Sequence, residues 1–399
     1  MSHTRTSAAD RPLPILSLAA VMAVIGAFAL SIGYTYPAIA LNMEARGISA
    51  ATIGVLAALQ GLGVLVGAVS MPVLTAWIGS WRYAVTALVG TAVVIALFGV
   101  SENLVFWAVL RFLLGLGGNA LFVSCEVWVN TLSPDAVRGR VIGFYTTVVA
   151  GMFAVGPLLV PILGYEGIGA FGMVAVVFLL IGAPIWLLRT AIPPMEPMPF
   201  RELPRVIWAI PVLLLAVAVF SFFDAATLSL WVVYCFGRGL DETGTVVTLA
   251  FLVIGNVFLQ YPIGWLADRM NRRLLLSILA GLTFAGAIVL PVIALPTPLG
   301  YAFLFVWGAT AFGVYTLSVT LIGQHLTGIR LVAANAAFGL MWGAGALVGP
   351  ALTGLAMDTI GELGFPLVGA LVYGILTIAA LSLPPIRAAL MGLEQRAEK

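Results

Sequence analysis

Twelve long apolar stretches, parted by short polar breaks, constrain this chain more than any other feature. Punctuated by glycine, proline and charge, they run over 13–40, 51–75, 82–101, 104–129, 140–163, 168–189, 206–236, 245–267, 273–294, 299–323, 333–357 and 365–386. A helix rising about 1.5 Å per residue needs roughly 20 apolar residues to cross a hydrocarbon core about 30 Å thick. Each stretch meets that length, and none shows strand-like alternation. In lipid a segment must satisfy its own backbone hydrogen bonds, so these are expected to be helices. The expectation is an all-α protein of twelve transmembrane helices embedded in a lipid bilayer.

Composition agrees. Only 9% of the residues are charged and mean hydropathy is +1.14. A soluble domain carries about a quarter charged residues, so this chain lacks the polar surface to cover itself in water. A net charge of +2 gives no reason to expect a nucleic-acid partner. Cys125 and Cys235 both sit in apolar stretches, which implies neither a disulfide framework nor a thiolate metal site. No cofactor and no metal are expected.

Basic residues set the orientation. With the N-terminus inside, Arg46 and Arg238 fall outside, Arg111 lies within a span, and the other fifteen of the 18 lie inside. Lysine and arginine accumulate on the cytoplasmic side, so both termini are expected there. The N-terminus lacks a signal-peptide cleavage pattern and reads as a cytoplasmic start before a true first span. Lys399 is the sole lysine, a bias that hints at a GC-rich bacterial genome, and a multi-pass inner-membrane protein is expected.

The chain also repeats itself. Arg46-Gly47-Ile48-Ser49 returns as Arg238-Gly239-Leu240-Asp241, Arg138 as Arg330, and Gly156-Pro157 as Gly349-Pro350, all at nearly one offset. Between the halves, 190–205 holds Pro193, Pro194, Pro197, Pro199 and Pro204, which favour an extended linker over a helix. The expected organisation is a six-helix half at 1–189, a cytoplasmic linker at 190–205, and a second half with a short tail at 206–399. Such duplication often marks a carrier whose site lies between the repeats.

The six-plus-six layout resembles the major facilitator superfamily over the whole chain. Gly264-Trp265-Leu266-Ala267-Asp268-Arg269-Met270-Asn271-Arg272-Arg273 is similar to its Gly-x-x-x-Asp-Arg-x-Gly-Arg-Arg signature, with Asn271 in place of the second glycine. Arg111 followed by Gly115, Gly117 and Gly118 resembles its intramembrane-arginine motif. Glu126-Val127-Trp128-Val129-Asn130 with Arg138-Gly139-Arg140 looks most like the YcaD-like branch. The resemblance implies two pseudo-symmetric halves and alternating-access transport of a small organic solute by a monomer. It also implies a cytoplasmic gate at Gly264, Asp268, Arg269, Arg272 and Arg273, with Asp268 facing the start of the fifth helix near Val141. The first-half copy of the signature has lost its charges, since the matching positions are Pro72, Ala76 and Trp77. The family's antiporter motif is approached only by Gly345-x-x-x-Gly349-Pro350 in the eleventh span, which leaves the direction of transport open.

Only Arg111, Glu126 and Asp224 place charge well inside spans. Mid-membrane charge costs about 2.5–3.5 kcal/mol on insertion scales, so such groups line cavities or meet partners. At about 100° per residue, Asn119 falls about 20° from Glu126, Asn130 about 40° and Arg111 about 60°, one side of the fourth helix. Arg111 and Glu126 are about 22 Å apart along it, too far to pair. Glu126 is the first candidate for a coupling proton, because low dielectric disfavours a carboxylate's charged form; the alternative is a tie to a loop arginine such as Arg138. Arg111 either braces helices through carbonyls or acts on substrate or a carboxylate. Asp224 binds a proton or a cationic substrate, or relieves local backbone strain. Candidate cavity residues are Tyr34, Asn119, Asn256, Gln260, Trp307 and Tyr315, aromatics and amides suited to an organic solute; ordinary interhelical packing is the alternative for each.

Enzymatic chemistry has little to build on. His3 and His325 are the only histidines and both lie outside spans, with no metal-ligand spacing or nucleophile–base pair. The remaining readings are a proton-independent uniporter, or a sensor or assembly factor on a transporter-like fold.

Overall fold

A computed structural model describes residues 14–134, 137–189, 202–326 and 328–382. Residues 190–201 of the expected linker, and the tail from 383, lie outside the described residues.

Helices dominate, and their ends follow local chemistry. The twelve long ones are α1 (Ile15–Ala45), α2 (Ala50–Ile78), α3 (Ser80–Leu97), α4 (Leu104–Leu132), α5 (Arg138–Leu158) and α6 (Gly167–Gly182), then α7 (Pro211–Gly237), α8 (Glu242–Arg269), α9 (Arg272–Val289), α10 (Pro298–His325), α11 (Gly328–Ile360) and α12 (Gly364–Ser382). Hydropathy alone marks eleven stretches, because Ala333–Ser382 reads as one. Gly361, at φ +71°, turns the chain there and separates α11 from α12, so the passes are twelve. Side chains cap several helix starts: Ser49 accepts from the Thr52 amide, Asn103 from Val105 and Phe106, and Asp241 from Gly244. Asn271, the departure from the signature glycine, is the N-cap of α9 and accepts from the amides of Arg273 and Leu274. The seventh span begins later than the expected 206, because a separate short helix, Leu203–Ala209, stops at Ile210 before Pro211.

The repeat of Arg46-Gly47 as Arg238-Gly239 is a pair of identical helix ends. Gly47 and Gly239 take φ of +69° and +77°, and Ile48 and Leu240 each donate an amide back to the carbonyl five residues earlier. Each arginine then clamps the loop after the third helix of its half: Arg46 donates to the Glu102 carbonyl at 2.7 Å, Arg238 to that of Pro291 at 2.8 Å. These two, the basic residues expected outside, are structural.

Packing obeys the same pseudo-symmetry. In the first half α1 lies on α5, α2 on α4 and α3 on α6; in the second, α7 lies on α11, α8 on α10 and α9 on α12. The α2–α4 crossing uses Gly63 against the Phe112 carbonyl and Gly115 against that of Gln60, and the α8–α10 crossing uses Gly255 against Phe305 and Gly308 against Leu252. A Cβ at any of these four glycines would stand 1.9–2.1 Å from a carbonyl oxygen, so the backbones touch.

The halves meet through α2 with α11, α5 with α8, and α1 and α2 with α7. One end of the bundle carries most of the arginines, and the other is sealed. At the sealed end Gly354 lies on the Ala50 carbonyl, Gly54 on that of Pro350, and Gly61 on the backbone of Ala346 and Leu347. There the Tyr165 hydroxyl, between α5 and α6, also donates to Glu242 at the start of α8, at 2.5 Å. Toward the arginine-rich end Glu126, Asn130, Thr146 and Thr147 are exposed, so the space between the halves opens on that side.

Candidate functional site

Charge and aromatic rings converge between the halves. Glu126 is exposed although it sits inside α4 among helices, the position of an acid lining an open cavity. Its carboxylate lies in charge–charge range of the hydroxyls of Tyr145 on α5 and Tyr315 on α10. Asp224, midway along α7 and half-buried, lies in range of Tyr36 on α1 and Tyr373 on α12. Each acid is therefore attended by two tyrosines, one from each half. Among the described residues neither carboxylate has a hydrogen-bond or ion-pair partner. Glu126 thus makes no tie to Arg138.

Arg111 behaves differently. It is fully buried, donates from Nη1 to the Gln60 side-chain oxygen on α2 at 2.8 Å, and lies 5.0 Å from the Tyr36 ring centre. Its Nε and Nη2 have no partner. The guanidinium is held by an amide and an aromatic face rather than by backbone carbonyls.

The remaining candidates divide. Tyr315 is half-buried, stacks on Phe220 at 5.4 Å and meets Trp342 of α11 edge-on at 5.2 Å, so it belongs to the wall between the two acids. Trp307 points elsewhere: it is 3% exposed, donates to the Thr283 carbonyl at 2.9 Å and covers Gly286 on α9. Tyr34 is buried and donates to the Gly164 carbonyl at 2.6 Å, bracing α1 against the loop at the sealed end. Asn119 is buried against Gly67 of α2. Asn256 and Gln260 hydrogen-bond to each other along α8. Gln60, Tyr145, Trp342 and Tyr373 join the site without having been singled out in the sequence.

At the arginine-rich end, Asp268 accepts from Arg272 at 2.6 Å and is largely exposed. Arg269 stacks on Trp265 at 3.8 Å, and Arg273 donates to the Ala380 carbonyl, tying α9 to α12. Asp268 thus engages its own loop, and Gly264 faces open space.

Two six-helix halves of membrane-crossing length, with two acids left unpaired among the described residues where the halves face one another, have the architecture of a membrane transporter. The family's sequence profile matches residues 18–350 and 236–397, and the chain belongs to the Major Facilitator Superfamily. Among its relatives, the uncharacterised transporter YfkF of Bacillus subtilis is 27% identical over 338 residues, 82% of this chain and 85% of YfkF. YcaD of Escherichia coli is 29% identical over 125 residues, about a third of each protein. The fold is that of the nucleoside transporter NupG (TM-score 0.76, 13% identity, covering 92% of this chain and 99% of NupG). It is also that of a bacterial homologue of the human lysosomal transporter Spinster in an inward-facing, unoccupied conformation (TM-score 0.73, 14% identity, covering 94% and 100%). The chain is a multi-pass membrane transporter for a small molecule.

Proposed function

We propose that this chain is a secondary active transporter of a bacterial inner membrane, moving a small organic solute by alternating access as a monomer. In this reading both termini and the arginine-rich end are cytoplasmic, residues 1–189 and 206–399 rock as units about the cavity, and the described state is inward-open. The outward-open state brings Asp268 from its Arg272 partner to the N-terminus of α5, whose dipole favours a negative charge.

Proton coupling is assigned to Glu126. The observation that carries this is an exposed acid inside the membrane span of α4 that pairs with no base among the described residues. The titratable groups around it are Tyr145, Tyr315 and Cys125, none of them a cation near neutral pH. A glutamate so placed alternates between a neutral and a charged form as the cavity changes sides.

Glutamine mimics the neutral form. Glu126→Gln in liposomes is therefore expected to keep solute counterflow and to lose accumulation driven by a pH gradient. Retained accumulation moves the proton site to another residue; counterflow without pH-driven accumulation in the native chain makes the protein a uniporter; loss of all flux in a folded native chain favours a non-transporting sensor.

A further inference from the structure

We infer that the cavity binds a lipophilic organic cation, its charge held at Asp224 and its apolar body laid on the aromatic wall of Tyr315 and Trp342. This rests on the transport reading above and specifies its substrate class.

Asp224 is the residue from which the inference starts. It lies midway along α7, part-exposed, and no described basic group pairs with it. Among the described residues the one fully buried base is Arg111, whose single hydrogen bond goes to Gln60 and whose guanidinium lies on the Tyr36 ring; it makes no ion pair with Asp224. A second feature points at the same spot. Tyr373 is fully buried, its hydroxyl has no hydrogen-bond partner, and it lies in charge–charge range of the Asp224 carboxylate. Its ring is fixed edge-on to Phe223 at 5.5 Å, which keeps it on this side of α12.

One helical turn before Asp224, on the same face of α7, is Phe220. Phe220 is fully buried and backs the wall: Tyr315 stacks on it, and Trp342 meets it edge-on at 5.4 Å. Tyr315 and Trp342 are themselves only half-buried, so they present aromatic surface to the cavity. Tyr315 also lies in range of Glu126, and the wall runs from one acid toward the other.

Each element selects for the same ligand. Aromatic faces carry negative electrostatic potential, and a cation over tyrosine or tryptophan is attracted most strongly when desolvated. An anion meets two carboxylates and those faces. A neutral solute gives Asp224 no counter-charge, so closing the cavity around it requires the carboxylate to take up a proton. A hydrophilic cation gains the carboxylate and the aromatic faces but buries little apolar surface on the wall. A cation with an apolar body gains both.

Three probes of similar aromatic bulk separate these cases: tetraphenylphosphonium, neutral triphenylphosphine oxide and anionic tetraphenylborate. Tritiated tetraphenylphosphonium is expected to bind the detergent-purified full chain saturably, displaced by its unlabelled form but not by the other two at equal concentration. Asp224→Asn should weaken that binding by about tenfold or more, the scale of one lost charge-assisted contact, with Asp224→Glu restoring most of it. Tyr315→Leu should weaken it while leaving charge selectivity in place. Equal displacement by the oxide or the borate overturns the inference, as does absence of saturable binding. A monodisperse Asp224→Asn chain that binds like the native one overturns it too. Charge selectivity is measured on the native chain, so the test survives a variant that fails to fold. It is also separable from the coupling reading: retained pH-driven accumulation in Glu126→Gln overturns that reading and leaves the binding result untouched.

Discussion

Gln60 holds the only hydrogen bond made by Arg111, the one fully buried charged side chain among the described residues. Replacing it with leucine leaves every donor of Arg111 without an acceptor, with only the Tyr36 face remaining. Losing the partner of a buried charged group costs about 1–3 kcal/mol. Gln60→Leu should therefore lower the thermal midpoint of the purified protein, and Gln60→Glu, which supplies a counter-charge, should not; an unchanged midpoint in Gln60→Leu would remove the bracing role. The residue itself was illegible in the sequence, because one amide in an apolar helix has no feature that sets it apart. Arg111, Glu126 and Asp224 were legible for the opposite reason, since charge stands out where hydrocarbon is the solvent. Aromatics fell between. Tyr315 reached the cavity wall, whereas Trp307 and Tyr34 were taken up by carbonyls of neighbouring segments, and nothing in spacing along one helix says which neighbour will offer an acceptor.

Among elements, the loop between α5 and α6 carries a latch. Tyr165 donates to Glu242 across the two halves at the sealed end, and its backbone carbonyl accepts from Asn42. That hydrogen bond to Glu242, aided by partial burial and by the charges of Glu242 and Glu166, pushes the Tyr165 phenol from the usual 10 up to about 12. A raised value means that the latched state prefers the protonated phenol. The latch is therefore intact below pH about 10 and is lost as pH rises through about 12. Spin labels at Ala51 and Ile360, on the sealed ends of α2 and α11, report its opening by electron–electron distance. Tyr165→Phe should enlarge the widely separated population about fivefold, the worth of about 1 kcal/mol, and raising the pH through that window should do the same to the native chain. Identical distance distributions in the variant would show that the contact holds nothing. Helix existence and order were readable here from length and hydropathy, and the paired Arg-Gly ends from their repeat. The break at Ile210 was not, because Val206, Ile207 and Trp208 continue the apolar run without interruption.

For the whole molecule, the distribution of arginine makes a topology that reporter fusions can check. Fusions at Arg46, Glu102, Glu166 and Arg238 are expected to report the periplasm, and those at Arg138, Arg201 and Arg330 the cytoplasm; one reproducible inversion would break the orientation. Twelve passes and two halves were readable because the membrane fixes helix length and the duplication fixes order. How α2 meets α11 was not, because a glycine declares only that something comes close, not what. That contact has a consequence of its own. Where Gly54 and Gly354 rest on carbonyls of the facing helix and Gly61 on its backbone, the α2–α11 contact is backbone against backbone, unlike the side-chain latch beside it. It parts only when whole helices separate, and helices separate by displacing the lipid around them. The rate of opening should then follow membrane viscosity and acyl-chain order, which makes the bilayer a kinetic component of this carrier and not merely its container.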